Sequence, residues 1–200
     1  TLMTPMFTPT DTDYGAPPVL VAGVGPLMTE VAAEVADGVL LHAFTSEEYI
    51  RTVTLPAIEA GLAKSGRSRA DLQIAGTPFL VTGDTQEKFD AVKLSVKKQL
   101  AFYASTPAYR GVLDSIGYGE LQPELTRMSK AGQWAEMGQR IDDTLLDRLA
   151  LVGDPGEIAA KLRQRFGDVF DICTTSVFSG DAYSAGEFNG EIARAIKQTI

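Results

Sequence analysis

Residues 19–42 read VLVAGVGPLMTEVAAEVADGVLLH, and the order of patterns in this stretch decides the fold class. The apolar run Val19-Leu20-Val21-Ala22 stops at Gly23-Val24-Gly25-Pro26. A helical pattern follows, with Leu27, Val31 and Val35 at i, i+4 and i+8 and Ala32 beside them, which predicts one apolar helix face. Asp37-Gly38 ends that pattern, and Val39-Leu40-Leu41 begins a second apolar run. Short apolar runs bounded by turn residues suit strands buried on both faces, as in parallel sheets. Strand, crossover helix and strand in this order make a βαβ unit.

The alternation continues outward from this unit. Residues 1–18 contain four prolines and no period, so they predict an irregular leader. Thr45-Ser46-Glu47-Glu48 has capping-box spacing with Thr45 as N-cap, opening a helix that carries Leu55, Ile58 and Leu62 and stops near Ser65-Gly66. Pro56 lies inside that helix and predicts a kink near Thr52 or two consecutive helical pieces. Residues 72–82, LQIAGTPFLVT, read as one strand with an irregularity at Gly76-Thr77-Pro78, because proline cannot donate to a central ladder.

Asp84-Thr85-Gln86-Glu87 has capping-box spacing and precedes a helix through Phe89, Val92, Val96 and Leu100 to about Tyr103. Across 104–150 the strand rhythm disappears, which predicts a helical insertion. Asp154-Pro155-Gly156-Glu157 restarts regular structure with proline at N1, followed by Ile158, Leu162 and Phe166 on one face. Residues 169–177, VFDICTTSV, give the last strand, and a helix from about Ser184 to Ile200 closes the chain. Strand and helix thus alternate about four times within a single domain spanning residues 1–200, an α/β architecture. Right-handed crossovers place the strand ends that precede helices on one edge, where function is expected.

Composition narrows the function classes. With 44% hydrophobic and 22% charged residues the chain has ordinary globular make-up. A formal net charge of −8 disfavours nucleic acid and anionic membrane as partners, since both reward clustered Lys and Arg. No apolar run approaches the ~18 residues of a membrane span. Cys173 is alone and sits among strand residues, so it reads as a buried thiol in a reducing compartment, and the protein as cytoplasmic.

Three features could carry chemistry. Gly23-Val24-Gly25-Pro26 is either a tight βα turn or a backbone cradle for a phosphate, favoured there by unpaired first-turn N–H groups and the helix dipole. His42, the only histidine, follows the second strand and is either a plain structural residue or part of a cofactor or substrate pocket. Phe44 and Thr45 share its loop; they could contact a flat ligand, while stapling and N-capping of the next helix would also explain them. With no second His and no second Cys, no metal site is expected. No G-x-S-x-G elbow occurs, and no catalytic residue can be assigned.

The segment PPVLVAGVGPLMTEVAAEVADGVLLH resembles the strand, Gly-Pro turn and Ala-Asp-Gly helix end of the luciferase-like monooxygenase superfamily. LVGDPGEIAAKL is similar to a later helix start in that superfamily, and FYASTPAYRGVLDSIGYGEL to its coenzyme F420-dependent branch. The resemblance implies a (β/α)₈ TIM barrel with its active site at the C-terminal ends of the strands. It implies that residues 19–22 are the fifth strand and 169–177 the eighth, so that the chain corresponds to the C-terminal half of a barrel and is inactive by itself. It further implies that Gly23, Val24, Gly25 and Pro26 meet a cofactor phosphate, with His42 and Phe44 near the mouth. The implied activity is hydride transfer between coenzyme F420 and a small organic substrate, in a homo-oligomer. An FMN-dependent monooxygenase and a non-catalytic half-barrel binding module are the alternatives.

Overall fold

The computed structural model describes residues 15–175, together with 190, 193–195 and 197. The chain forms β1 (Leu20–Gly23), α1 (Pro26–Val35) and β2 (Gly38–Leu41), then α2 (Glu47–Tyr49) and α3 (Leu55–Ser65). β3 (Gln73–Gly76) and β4 (Phe79–Val81) follow, then α4 (Gln86–Ala104), α5 (Arg110–Ser115), α6 (Leu121–Lys130), α7 (Trp134–Met137) and α8 (Asp143–Leu149). β5 (Ala150–Val152), α9 (Pro155–Phe166) and β6 (Ile172–Cys173) complete the described order. The expected leader before residue 15 lies outside the described residues, and of the expected helix over 184–200 only the described residues 190, 193–195 and 197 are seen, all helical.

Parallel pairing organises these elements. β1, β2, β3 and β6 form one sheet in that order, and β4 pairs with β5 in a second, also parallel. The single strand expected over 72–82 is therefore two strands in two sheets. Pro78 has no N–H to continue the first ladder, so the chain leaves it after Gly76. The expected insertion over 104–150 is helical, but its end adds β5, a strand too short to show a period of its own. Of the strand expected over 169–177, the described part pairs only at Ile172 and Cys173.

Strand burial also departs from expectation. In parallel register, paired residues point to one face. Val39 and Ile74 lie on the face covered by helices and are fully buried. The opposite row runs Ala22, Leu40, Ala75, Ile172; Leu40 is 40% and Ile172 41% exposed. Ala75 in that row is buried, so among the described residues the sheet is fully covered on one face and only partly on the other.

α1 turns a different face to the core than its spacing suggested. Thr29, Ala32 and Ala33 are buried, whereas Leu27 (78% exposed), Val31 and Val35 (70%) form an apolar strip on the surface. The reason is a close approach to α3. A Cβ at Gly61 would lie 2.1 Å from the Glu30 carbonyl oxygen and 2.9 Å from the Ala33 Cβ, so only small residues fit between the helices. Lys64 of α3 also pairs with Glu30 of α1.

Local signals explain most element ends. Asp37 accepts the Val19 N–H at 2.7 Å, clipping the start of β1 to the turn after α1. The helix kink predicted near Thr52 appears as a π-helical turn, Ile50–Thr54, closed by the Leu55 N–H donating to the Ile50 carbonyl. Pro56 removes the ordinary donor there, and the wider turn accommodates its ring. Ser46, not Thr45, is the N-cap: its Oγ accepts the Tyr49 N–H at 3.1 Å. The next expected box is likewise displaced, because Thr85 caps the Lys88 N–H and Lys88 has no carboxylate to reciprocate. At α9 the full box forms, with Asp154 accepting the Glu157 N–H at 2.8 Å and Glu157 accepting the Asp154 N–H at 2.9 Å.

Two outcomes follow from the α1 packing. Gly61→Ala is expected to lower unfolding free energy by about 1–2 kcal/mol in urea titration, the overpacking exceeding the helix-propensity gain of alanine over glycine. Leu27, Val31 and Val35 place three exposed apolar side chains on one helix face, so the chain is expected to self-associate in size-exclusion chromatography. Leu27→Glu with Val31→Glu should shift it to the monomer position with little change in melting temperature, because both side chains already face solvent.

Candidate functional site

The sheet register brings the singled-out residues to one edge. Gly23 pairs with Leu41, so the Gly23-Val24-Gly25-Pro26 turn and the His42-Phe44 segment leave adjacent strands side by side. The two glycines of the turn have different physical reasons to be glycine. A Cβ on Gly23 would come 2.9 Å from the Thr29 Oγ1, so close packing of α1 on β1 demands it. A Cβ on Gly25 would meet nothing within 4 Å, and its φ of −107° is open to any residue. Packing therefore does not explain Gly25.

The start of α1 is also bare. Gly25 is the N-cap, no side chain caps the helix, and the first turn holds no acidic residue. The first-turn N–H groups consequently lack helical partners and carry the positive end of the dipole. Pro26 contributes no N–H; it sets the helix start with its fixed φ. Val24 is partly exposed beside it. The arrangement suits an anion approached by backbone.

His42 is held by its neighbour two residues on. The Phe44 N–H donates to His42 Nδ1 at 3.0 Å. An amide can only donate, so Nδ1 carries the lone pair and the neutral ring has its proton on Nε2. Nε2 lies 3.4 Å from the Tyr109 Oη. Burial pushes the imidazole below the ordinary histidine value, so it stays neutral at neutral pH.

Sequence reasoning missed two further residues. Tyr103, at the end of α4, meets His42 edge-on with centroids 4.8 Å apart, and Tyr109, in a short 3₁₀ turn after Pro107, stacks on it at 4.9 Å and 23°. Phe44 is buried against both tyrosines, at 6.1 and 5.7 Å, and Phe79 lies 6.2 Å from Tyr103. Both tyrosines belong to the 104–150 insertion or its threshold, and the spacing in FYASTPAYR, with Pro107 turning the chain between them, is the signal that could have found them. Thr45 stays partly exposed in the same loop, beside a cleft also lined by Leu41, Ala43, Gly76, Pro78 and Arg148.

The remaining cysteine is inert by environment. Cys173 ends β6 half-buried, and burial pushes its thiol up to about 11. Among the described residues no group of three His, Cys, Asp or Glu side chains gathers that could hold a metal ion. No helix among them is long and apolar enough to cross a membrane.

Known proteins resemble this chain over most of its length. A family model described as luciferase-like monooxygenase matches residues 1–171. An uncharacterized protein of Mycobacterium tuberculosis is 46% identical over 170 residues, covering 85% of this chain and 50% of the relative. The 5,10-methylenetetrahydromethanopterin reductase of Archaeoglobus fulgidus is 26% identical over 151 residues, covering 75% of this chain and 45% of its own length. The chain thus spans about half the length of the curated relatives it matches. Among solved structures, the coenzyme F420 dependent tetrahydromethanopterin reductase from Methanopyrus kandleri superposes with a TM-score of 0.69 at 20% identity, covering 92% of this chain and 50% of that one, a likeness of fold.

The half-buried, neutral His42 has a pH consequence. Its folded-state value is depressed, so the unfolded chain holds more protons below the ordinary histidine value, and stability falls as pH drops through that range. Between pH 7.5 and 5.5 the melting temperature of the wild type is expected to fall further than that of His42→Asn, whose amide oxygen still accepts the Phe44 N–H. Equal falls would remove His42 from the pH dependence.

Proposed function

The chain belongs to the luciferase-like monooxygenase family, and from that premise we propose that it forms part of a coenzyme F420-dependent oxidoreductase acting on a small organic substrate. The observation that carries this reading is the bare turn Gly23-Val24-Gly25-Pro26 at the C-terminal edge of a parallel sheet, with His42 and Phe44 on the neighbouring strand. Gly25, which packing leaves free, would let a phosphate reach the backbone N–H groups of the turn and the first turn of α1. When bound, F420 supplies a hydride carrier; the chain supplies the phosphate cradle and a wall beside it. A Mycobacterium tuberculosis relative, 29% identical over 145 residues and named a putative coenzyme F420-dependent oxidoreductase, supports this cofactor over FMN.

We read β1, β2, β3 and β6 as strands five to eight of a (β/α)₈ barrel, with 104–150 as an insertion before the last strand. The uncovered row Ala22, Leu40 and Ile172 would then face a barrel interior, and the strip on α1 a neighbouring helix. The lone cysteine fits a reducing cytoplasm.

Fluorescence titration tests the assignment. F420 is expected to bind and FMN not to, and Gly25→Ala should weaken F420 by about tenfold, or ~1.4 kcal/mol, at an unchanged melting temperature. Binding of FMN without F420, or an unaffected Gly25→Ala protein, would sink it.

A further inference from the structure

The loop that leaves β2 is fastened to the inserted segment at residues 107–115 along one seam. Phe44, 1% exposed, packs against Tyr109 with ring centroids 5.7 Å apart, and Ser46 Oγ lies 3.3 Å from Ser115 Oγ. His42 holds both sides of this seam. Its Nδ1 accepts the Phe44 N–H at 3.0 Å, while its ring stacks on Tyr109 at 4.9 Å with Nε2 3.4 Å from the Tyr109 Oη.

The two sides tolerate different protonation states. The Phe44 amide can only donate, so its bond exists only while Nδ1 keeps a lone pair. An imidazolium carries a proton on each nitrogen and sets two donors against each other there. Turning the ring to free Nδ1–H takes it off the Tyr109 stack, and keeping the stack leaves the amide of a buried residue without its acceptor. The surroundings offer the imidazolium little in return. Tyr103 and Tyr109 bring rings but no carboxylate, and the cleft beside His42 carries Arg148 and Arg165, whose carboxylate partners Glu48 and Asp147 are already paired with them. The Tyr109 ring face attracts a cation, but only in the position that opposes the two N–H donors. Burial pushes the imidazole below the ordinary histidine value, so an opened loop takes up a proton more readily than the closed one. The closed seam therefore holds fully above that ordinary value and weakens as pH falls below it.

We propose that His42 is a proton-sensitive latch: neutral, it fastens the 42–46 loop to the 107–115 segment, and protonated, it lets this seam open while the parallel sheet stays intact. The latch goes beyond the functional reading above and stands without any cofactor assignment.

Amide hydrogen exchange read by ¹⁵N NMR at pH 7.5 and 5.5 tests it, after correction for the intrinsic pH dependence of exchange. In the wild type the Phe44 and Tyr109 amides should open about fivefold more often at pH 5.5, a rise within the tenfold per pH unit that one titrating group allows, while the β2–β3 ladder amides keep their protection. In His42→Asn, whose side chain accepts the Phe44 N–H without titrating, both amides should be equally protected at the two pH values. Wild-type protein alone gives a second readout, since a single histidine makes the imidazole ¹⁵N signals unambiguous. Nδ1 should be unprotonated at pH 7.5, and the Phe44 amide signal should shift with the same midpoint as Nδ1 protonation. Unchanged Phe44 protection in the wild type, a Tyr109 amide that does not follow it, equal loosening in His42→Asn, ladder amides lost in parallel, or unlike midpoints would each overturn the latch.

Discussion

Parallel pairing of β1 with β2 is the constraint from which the rest of the structure follows. Parallel neighbours cannot be joined by a tight turn, so the chain must cross over through a helix and begin each strand at the same end. That requirement produces α1 between the first two strands and the helix pair α2–α3 between the next two. It also fixes where chemistry can sit, because Gly23 and Leu41 are register partners and their continuations emerge together. The turn and the histidine are neighbours through backbone hydrogen bonding, although 15 residues of helix, turn and strand lie between Pro26 and His42 along the chain.

The same pairing makes the uneven burial intelligible. A sheet covered by helices on one side hides Val39 and Ile74 and leaves the alternate row to whatever layer opposes it. Among the described residues that layer is absent for Leu40 and Ile172. α1 repeats this division at the level of one helix. Its small face, Ala32 and Ala33 against Gly61, gains contact by close approach, and its large face is left outward. Burial on α1 is decided by how near the backbones can come, not by which side chains are most apolar.

That is why the sequence revealed element order better than element facing. The strand–turn–helix–strand reading of 19–42 matches the structure to within a residue or two, because Gly-Val-Gly-Pro, Asp37-Gly38 and the apolar runs act locally. The Asp154-Glu157 box forms as read for the same reason. Leu27, Val31 and Val35 were legible as a stripe but not as an exposed one, since a period names a face without naming its partner. β5 escaped because three residues carry no period, and its partner β4 is separated from it by five helices. The aromatic surround of His42 depended on tertiary placement of the insertion, which no local pattern records.

In the proposed assignment the sheet edge joins two kinds of arrangement with different sequence requirements. A phosphate cradle made of backbone N–H groups asks only that side chains stay out of the way, which two glycines and a proline achieve in four residues. The His42–Tyr109 contact draws on distant segments: Nε2 from the loop after β2, Oη from the turn that opens at Pro107, and an amide from Phe44 to hold the ring. The first kind belongs to the sheet edge alone, and the second joins that edge to the inserted segment. In the proposed assignment the sheet therefore holds the cofactor, while the insertion, packed over the same edge through Tyr103 and Tyr109, sets what can be brought to it.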